Sequence, residues 1–181
     1  MNIEGIHKLV EIKASINKGL SGELKKYFPN VIPVERPEVV LPKTLNPNWF
    51  SGFTSGEGCF SVEILKSSTH NIGYQVILKL SISQHSRDIK LLKSFIDFVG
   101  GGIIKERRVT SEFVVVKLAS IKEKLIPLFQ KYPIRGVKYY NFIDFCRIAE
   151  LMNNKAHLTQ EGLNKIIKIK EGMNINRKHV Y

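Results

Sequence analysis

The residue whose type and position best suit chemistry is Glu57, an acid that stands between Gly56 and Gly58, directly before the apolar stretch that starts at Cys59. A lone carboxylate between glycines adds little to solubility, whereas it is well placed to bind a cation. Hard divalent cations prefer oxygen ligands and often keep several waters, so one carboxylate can be enough on the protein side. The sequence therefore predicts a cation-binding acid at position 57.

The element that must position Glu57 is a short helix over residues 46–57. The Asn-Pro-Asn start at residues 46–48 is typical of a helix N-terminus. Gly52 and Gly56 lie four residues apart and share one helix face, where each glycine costs about 1 kcal/mol relative to alanine. Because a bare Cα allows another backbone to come close, we expect a second helix to pack on this face.

Residues 50–58, F-S-G-F-T-S-G-E-G, resemble the signature motif of the LAGLIDADG homing endonucleases. Glu57 matches the acidic metal ligand of that motif, and the first and last glycines match literally. The remaining positions keep the apolar or small character of the motif, apart from two departures. These departures are Thr54, and Ser55 where an aspartate is usual, and neither touches the metal position.

The overall composition favours a polyanionic partner. The chain has 181 residues, 43% of them hydrophobic, which is enough for one sizeable core. Lys and Arg number 28 against 16 Asp and Glu, which gives a formal net charge of +12 and favours nucleic acid or an anionic membrane surface. Because no apolar run is long enough to span a bilayer and the N-terminus has no signal-peptide pattern, we expect nucleic acid and no membrane.

Cysteine and histidine patterns argue against a zinc site. Cys59 and Cys146 are too few for a disulfide framework and lack zinc-ligand spacing, so a reducing compartment fits and we expect both to be buried thiols. The five histidines form no H-x-x-x-H or similar ligand pair. A zinc nuclease site is therefore not expected.

The chain contains a repeated helical pattern. Residues 4–18 are amphipathic, and the pattern returns in residues 161–175 at a constant offset of 157 residues. The identical pairs are Glu4 and Glu161, Gly5 and Gly162, Lys8 and Lys165, Ile12 and Ile169, Lys13 and Lys170, and Asn17 and Asn174. We interpret residues 1–18 as the last helix of an upstream repeat. It is followed by a proline-rich linker at 19–45, the LAGLIDADG domain at 46–175 and a tail at 176–181.

The periodicity of the remaining chain predicts an α+β fold. Period-two alternation predicts strands at residues 59–65, 74–83, 103–109 and 113–118. Helical spacing predicts helices at 86–99, 120–131, 136–153 and 159–172. Together with the motif helix this is the αββαββα order of the family core, with a four-stranded antiparallel DNA-binding sheet.

The resemblance implies an endonuclease that hydrolyses DNA phosphodiesters with Mg²⁺, or with another divalent cation such as Mn²⁺ or Ca²⁺. Paired divalent ions activate the water and neutralise the leaving oxygen. Glu57 would be the metal ligand, with the carbonyl of Gly56 as a second contact. Gln84 aligns with a position that orders water, and Lys138 with a basic residue near the scissile phosphate. For these last two, ordinary surface polarity is the alternative.

The resemblance also implies a partner for the motif helix. Family members bring two motif helices together so that two acids meet at the minor groove. This chain supplies one acid, and it therefore needs a second LAGLIDADG domain, either a missing N-terminal half or a second copy in a homodimer. The repeat and the linker favour the missing half. The expected helix interface comprises Phe50, Gly52, Phe53 and Gly56.

The outward faces of the four strands are expected to lie along the major groove of double-stranded DNA. A two-stranded ribbon fits that groove, where Gln can read adenine and Lys or Arg guanine. The expected DNA contacts are Ser61, Glu63, Leu65, Ser67, Ser68, His70, Gln75, Ile77, Lys79, Ser83, Lys105 and Arg107. A solvated strand face is the alternative for any one of them.

Two other functions remain compatible with these residues. One is an intron-splicing maturase, a member of the same family that binds structured RNA. The other is an isolated DNA-binding half without cleavage activity of its own. Family members are usually encoded in introns of organelle genes, which makes mitochondrial localisation the expectation in either case.

Overall fold

The computed structural model describes residues 2–16, 18–36 and 40–177, which divide into two compact units, residues 1–41 and 42–181. The boundary between the units falls within the predicted linker. Residues 37–39 of that linker and residues 178–181 of the predicted tail lie outside the described part of the chain.

The first unit contains two helices, α1 (Ile3–Ser15) and α2 (Gly22–Tyr27). Asn2 caps α1, because its Oδ1 accepts a hydrogen bond from the Gly5 N–H at 2.9 Å. Helix α1 ends at Ser15 rather than at residue 18, since Ile16 is extended. Val10 is buried, whereas the other large apolar side chains of this stretch are exposed, namely Ile3, Ile6, Leu9, Ile12 and Ile16.

The second unit confirms the predicted α+β fold and the αββαββα order. Its strands are β1 (Gly58–Lys66), β2 (Tyr74–His85), β3 (Ile103–Glu106) and β4 (Thr110–Val115). Its helices are α3 (Pro47–Glu57), α4 (Ile89–Val99), α5 (Leu118–Ser120), α6 (Ile126–Lys131), α7 (Lys138–Asn153) and α8 (Gln160–Glu171). Antiparallel pairing gives one four-stranded sheet in the order β1-β2-β4-β3.

The sheet packs one face against the helices and leaves the other open. Alternation along β1 and β2 turns Phe60, Val62, Leu78 and Leu80 into the core, because successive strand residues point to opposite faces. Phenylalanine rings fill the space beneath, with Phe60 edge-on to Phe145 at 5.2 Å between ring centroids. These contacts fix which face of the sheet remains available for binding.

The second hairpin is shorter than predicted. The expected strands 103–109 and 113–118 are observed as β3 and β4, with a turn at residues 107–109 that is closed by a hydrogen bond from the Arg107 N–H to the Thr110 carbonyl at 2.8 Å. The turn residues Arg107, Arg108 and Val109 include no Gly, Pro, Asn or Asp, so the sequence carries no local turn signal there. Arg107 therefore lies in the turn rather than in a strand.

The helical stretch after β4 also begins earlier than predicted, at Leu118, and contains a wide π turn at Ile121–Leu125 before α6. Pro127 lies in the first turn of α6 and lacks a backbone N–H, so the regular bonding pattern is interrupted on its N-terminal side. Among the described residues, no helix is both long enough and apolar enough to cross a membrane.

Candidate functional site

Glu57 lies at the corner where helix α3 passes into strand β1. The Asn46 side chain caps α3 by accepting from the N–H groups of Asn48 and Trp49, at 2.9 and 3.3 Å. Gly58 follows Glu57 and donates its N–H to the Thr54 carbonyl. A Cβ at position 58 would lie 2.7 Å from that carbonyl oxygen, so the corner requires glycine. The sequence Glu-Gly thus fixes the acid at the end of the motif helix.

One residue of the predicted helix interface, Phe50, does not lie on the exposed face of α3. Phe50 is fully buried and stacks on Phe129, because it lies on the opposite side of the helix from the glycines. It therefore belongs to the core of this unit and not to an interface. Gly52 and Gly56 are exposed, and a Cβ added at either would meet nothing within 4 Å among the described residues.

Trp49 is the interface candidate that sequence reasoning missed. The residue is 44% exposed, and its ring stacks on Phe53, with 5.0 Å between ring centroids. The signal was present in the sequence, since Trp49 and Phe53 are spaced four residues apart on the glycine face. We call Trp49, Gly52, Phe53 and Gly56 the open helix face.

The structure brings the three predicted catalytic residues to the same corner. The Gln84 side-chain amide, near the end of β2, donates to a carboxylate oxygen of Glu57 at 3.1 Å. The Lys138 ammonium, from the first residue of α7, donates to the Gly56 carbonyl at 2.8 Å. Residues far apart in the chain thus meet around one acid.

Lys138 is partly withdrawn from solvent. Burial lowers the pKa of its ammonium below the usual value, and nearby Cys59 and Glu57 oppose that shift. Cys59 itself is exposed, which corrects the expectation of a buried thiol, because it points to the open face of the sheet. Cys146 is partly buried, and burial raises the pKa of its thiol to about 11.

The loop before α7 is fastened along the motif helix by hydrogen bonds. The Ser51 hydroxyl donates to the Tyr132 carbonyl at 2.7 Å, and the Arg135 N–H donates to the Ser55 hydroxyl at 3.0 Å. Ser55, the departure from the family motif, therefore holds the loop that delivers Lys138. Neither contact was predicted from the sequence.

Oxygen donors at this corner suit a hard divalent cation. The Gly56 carbonyl already accepts a cationic group, the Lys138 ammonium, and the Glu57 carboxylate is exposed beside it. Within residues 2–16, 18–36 and 40–177, no group of three or more His, Cys, Asp or Glu side chains is arranged to hold a metal. Glu57 and the Gly56 carbonyl could thus hold an ion whose remaining ligands come from water or from outside the chain.

Most of the predicted DNA contacts lie on the open face of the sheet. Strand register places these side chains on the face opposite the core: Ser61, Glu63, Leu65, Gln75, Ile77, Lys79, Ser83 and Lys105. Glu63 and Lys79 form an ion pair, and hydrogen bonding to Glu63 is the main reason that the pKa of Lys79 is raised. This face therefore carries both charged and apolar groups.

The other predicted contacts lie in turns at the ends of the strands. Arg107 is in the β3–β4 turn, and Ser67, Ser68 and His70 are in the β1–β2 turn. The Ser67 hydroxyl and the His70 Nδ1 are 2.8 Å apart, which links the two side chains across this turn. Sequence reasoning missed Glu112, which lies between Ser83 and Lys105 in the strand register, because β4 was predicted to begin after it.

Comparison with known proteins supports the same fold over nearly the whole chain. The chain is 41% identical over 169 residues to a probable intron-encoded endonuclease 3 of Neurospora crassa, with 92% of this chain and 32% of the relative covered. It is 34% identical over 119 residues to an uncharacterized 50.9 kDa protein in ND4 intron 1 of Podospora anserina, covering 65% of this chain and 26% of that protein. The chain thus spans about a third or less of the length of these relatives.

Solved structures give a closer geometric match. The I-SmaMI LAGLIDADG homing endonuclease bound to cleaved DNA superposes with a TM-score of 0.94 at 43% identity, covering 98% of this chain and 60% of that chain. A second I-SmaMI structure, with uncleaved target DNA in the presence of calcium ions, superposes with a TM-score of 0.92 at 43% identity and covers 96% and 60% of the two chains. The LAGLIDADG endonuclease family model matches residues 50–149. The chain therefore belongs to the LAGLIDADG endonuclease family.

Proposed function

We propose that the chain is one half of a sequence-specific endonuclease that cuts double-stranded DNA. The observation that carries this proposal is the corner at Glu57, where Gln84 and Lys138 meet the acid at the edge of an open sheet face. A formal net charge of +12 favours a nucleic-acid partner. The name of the matched I-SmaMI structure, a homing endonuclease bound to cleaved DNA, supports the same function.

Each residue at the corner has a role in this proposal. Glu57 and the Gly56 carbonyl hold a divalent cation such as Mg²⁺, Mn²⁺ or Ca²⁺, which when bound supplies charge neutralisation and an activated water. Gln84 orients the Glu57 carboxylate and orders water beside it. Lys138 provides a positive charge that stabilises the negative charge developing at the phosphate.

The open sheet face reads the DNA in this proposal. Antiparallel strands fit the major groove, where base-edge hydrogen bonds distinguish the four base pairs. Gln75, Lys79 and Lys105 offer amide and ammonium donors, whereas Leu65 and Ile77 offer apolar contacts to thymine methyl groups. The β1–β2 turn, with its linked Ser67 and His70, contacts bases or phosphates farther out.

The open helix face supports the need for a second domain. Two helix-interior glycines that have no close neighbour among the described residues are costly, and packing of another motif helix against them would offset that cost. A second copy of the motif also supplies a second acid, so that both strands are cut. The chain spans 60% of the matched I-SmaMI chain, which is compatible with a protein that contains more than this half.

The repeated helix indicates which kind of second domain is needed. In α8, Leu163 and Ile166 are buried against the core of their own unit, whereas the repeat-equivalent Ile6 and Leu9 of α1 are exposed. We therefore propose that α1 packs on an upstream LAGLIDADG half in the way that α8 packs on its own domain. In the same proposal the protein acts in mitochondria, since ND4, the gene that carries the Podospora relative, is a mitochondrial gene.

A selection from random DNA tests this function. Duplexes bound by the purified chain are recovered, sequenced and incubated with Mg²⁺, alone and after the chain is joined to a second LAGLIDADG half. We expect the chain alone to enrich a short, non-palindromic half-site without cutting both strands, and the joined protein to cut. Tighter binding of structured RNA than of the selected duplexes, measured in a parallel binding assay, would contradict the proposal and favour a splicing maturase. Cleavage of a palindromic site by a dimer of this chain would show that the second domain is another copy of this chain and not a separate upstream half.

A further inference from the structure

The Lys138 ammonium occupies the oxygen that the proposed function assigns to the metal. Its Nζ donates to the Gly56 carbonyl at 2.8 Å, while Gln84 binds one oxygen of the neighbouring Glu57. The ammonium thus sits where a cation is expected. Two cations cannot share this carbonyl at hydrogen-bonding or coordination distance without strong repulsion.

We propose that Lys138 and the divalent cation exclude each other at the Gly56 carbonyl, so that the Lys138 ammonium occupies this oxygen until the metal binds. This inference rests on the proposed function, because it takes Glu57 and Gly56 as the metal ligands. When the cation binds, the ammonium leaves the carbonyl and becomes free to pair with a DNA phosphate. Metal loading and delivery of the positive charge to the phosphate are thereby coupled.

The contacts of Lys138 make this exchange possible without moving the fold. The side chain is held at the carbonyl by one hydrogen bond, and a lysine stem has several rotatable bonds through which the ammonium can swing. The backbone beneath it is fixed, because the Arg135 N–H is bonded to Ser55 and the Ser51 hydroxyl to Tyr132. Displacement therefore needs a rotamer change only.

The partner that holds Lys138 carries no net charge. Among the described residues, its ammonium is bound to the neutral Gly56 carbonyl and forms no ion pair with a carboxylate. By contrast, Lys79 on the sheet face is fixed by its ion pair with Glu63. Lys138, unlike Lys79, can therefore leave its partner without separating an ion pair.

A titration with Mn²⁺ tests the exclusion without measuring cleavage. In ¹⁵N-labelled chain, bound Mn²⁺ broadens the backbone amide signals of Glu57, Gly58 and Cys59, and the midpoint of the broadening measures binding. We expect Lys138→Met to lower this midpoint about fivefold or more, because Met matches the stem of the lysine side chain and lacks the competing ammonium. Dispersed amide signals show that the variant is folded, and Lys138→Gln serves as a second variant if it is not.

The matched control is Arg135→Met, which removes a positive charge from the same loop while keeping the backbone N–H that binds Ser55. We expect it to change the midpoint less than twofold. An unchanged midpoint in Lys138→Met, or an equal shift in both variants, would overturn the exclusion while leaving the metal site in place. Absence of broadening near Glu57 in all three proteins would instead contradict the metal site on which the proposed function depends.

Discussion

At the scale of single residues, the candidate site depends on how the backbone around Glu57 holds this acid at the surface. Glu57 ends a helix, and Gly58 turns the chain directly into β1, with no room for a side chain against Thr54. Gln84 and Lys138 then reach the acid and its neighbouring carbonyl from two other elements. The acid is thus held by backbone geometry and surrounded by polar groups from elsewhere in the fold.

Gly58→Ala should destabilise the second unit. The added Cβ would lie 2.6 Å from the Thr54 methyl carbon and 2.7 Å from its carbonyl oxygen, so backbone must shift. We expect a loss of about 1–3 kcal/mol in the free energy of unfolding, as is typical of overpacking. Urea denaturation followed by the fluorescence of Trp49 measures it. A variant as stable as wild type would show that the corner tolerates a side chain and that glycine is not needed there.

The two thiols should differ strongly in reactivity. Cys59 is exposed on the open sheet face, whereas burial raises the pKa of the Cys146 thiol to about 11. Because the thiolate is the reactive form, little of Cys146 can react at pH 8. Titration of the folded chain with a chromogenic disulfide should show one fast thiol, which Cys59→Ser removes. Two equally fast thiols would contradict this assignment.

At the scale of elements, helix α3 has one face for the core and one for a partner. Phe50 and Thr54 are fully buried, whereas Trp49, Gly52 and Gly56 are exposed. The sheet is divided in the same way, with its phenylalanine core on one face and the mixed polar face on the other. Both open faces border the corner at Glu57, so DNA and partner domain would converge on the proposed metal site.

Gly52→Ala should raise the stability of the isolated chain and weaken its association with a second LAGLIDADG domain. Since the new Cβ meets nothing within 4 Å among the described residues, the isolated chain should gain about 1 kcal/mol through better helix propensity. Pairing with a second motif helix should weaken, because the methyl group prevents close backbone approach.

Analytical ultracentrifugation of the chain mixed with a second LAGLIDADG half measures the pairing. As the control, Ser86→Ala alters a residue of a short helical turn that is not part of the open helix face, and should leave pairing unchanged. Unweakened association of Gly52→Ala would show that the two helices do not meet at this glycine.

Sequence periodicity predicted the elements well because each is amphipathic. The strands and the inward residues of β1 and β2 follow from period-two alternation, and the helices follow from helical spacing. The turn of the second hairpin could not be located, since Arg107, Arg108 and Val109 include none of the residues typical of turns, and Glu112 was consequently missed. The hydrogen bonds that join Ser51 and Ser55 to the loop before α7 depend on tertiary packing, which no local pattern encodes.

At the scale of the whole molecule, the chain is unbalanced in two respects. It carries a net charge of +12, and its first unit exposes apolar side chains, Ile6 and Leu9, whose repeat equivalents in α8 are buried. Both imbalances would be relieved in a larger assembly, the first by DNA and the second by a domain that covers α1. Both features support the proposal that the chain is one half of an endonuclease.

The most direct test of that proposal is double-strand cleavage by the chain joined to a second LAGLIDADG half, measured with Mg²⁺ at saturating protein and compared with the same protein carrying Glu57→Gln. The substitution keeps the size of the side chain and removes the charge that holds the cation. We expect DNA binding close to that of the unsubstituted protein and a cleavage rate lower by roughly 100-fold or more, the scale of losing one charge-stabilising group. An undiminished cleavage rate in the Glu57→Gln variant would contradict the assignment of Glu57 as the metal ligand and, with it, the proposed role of this half.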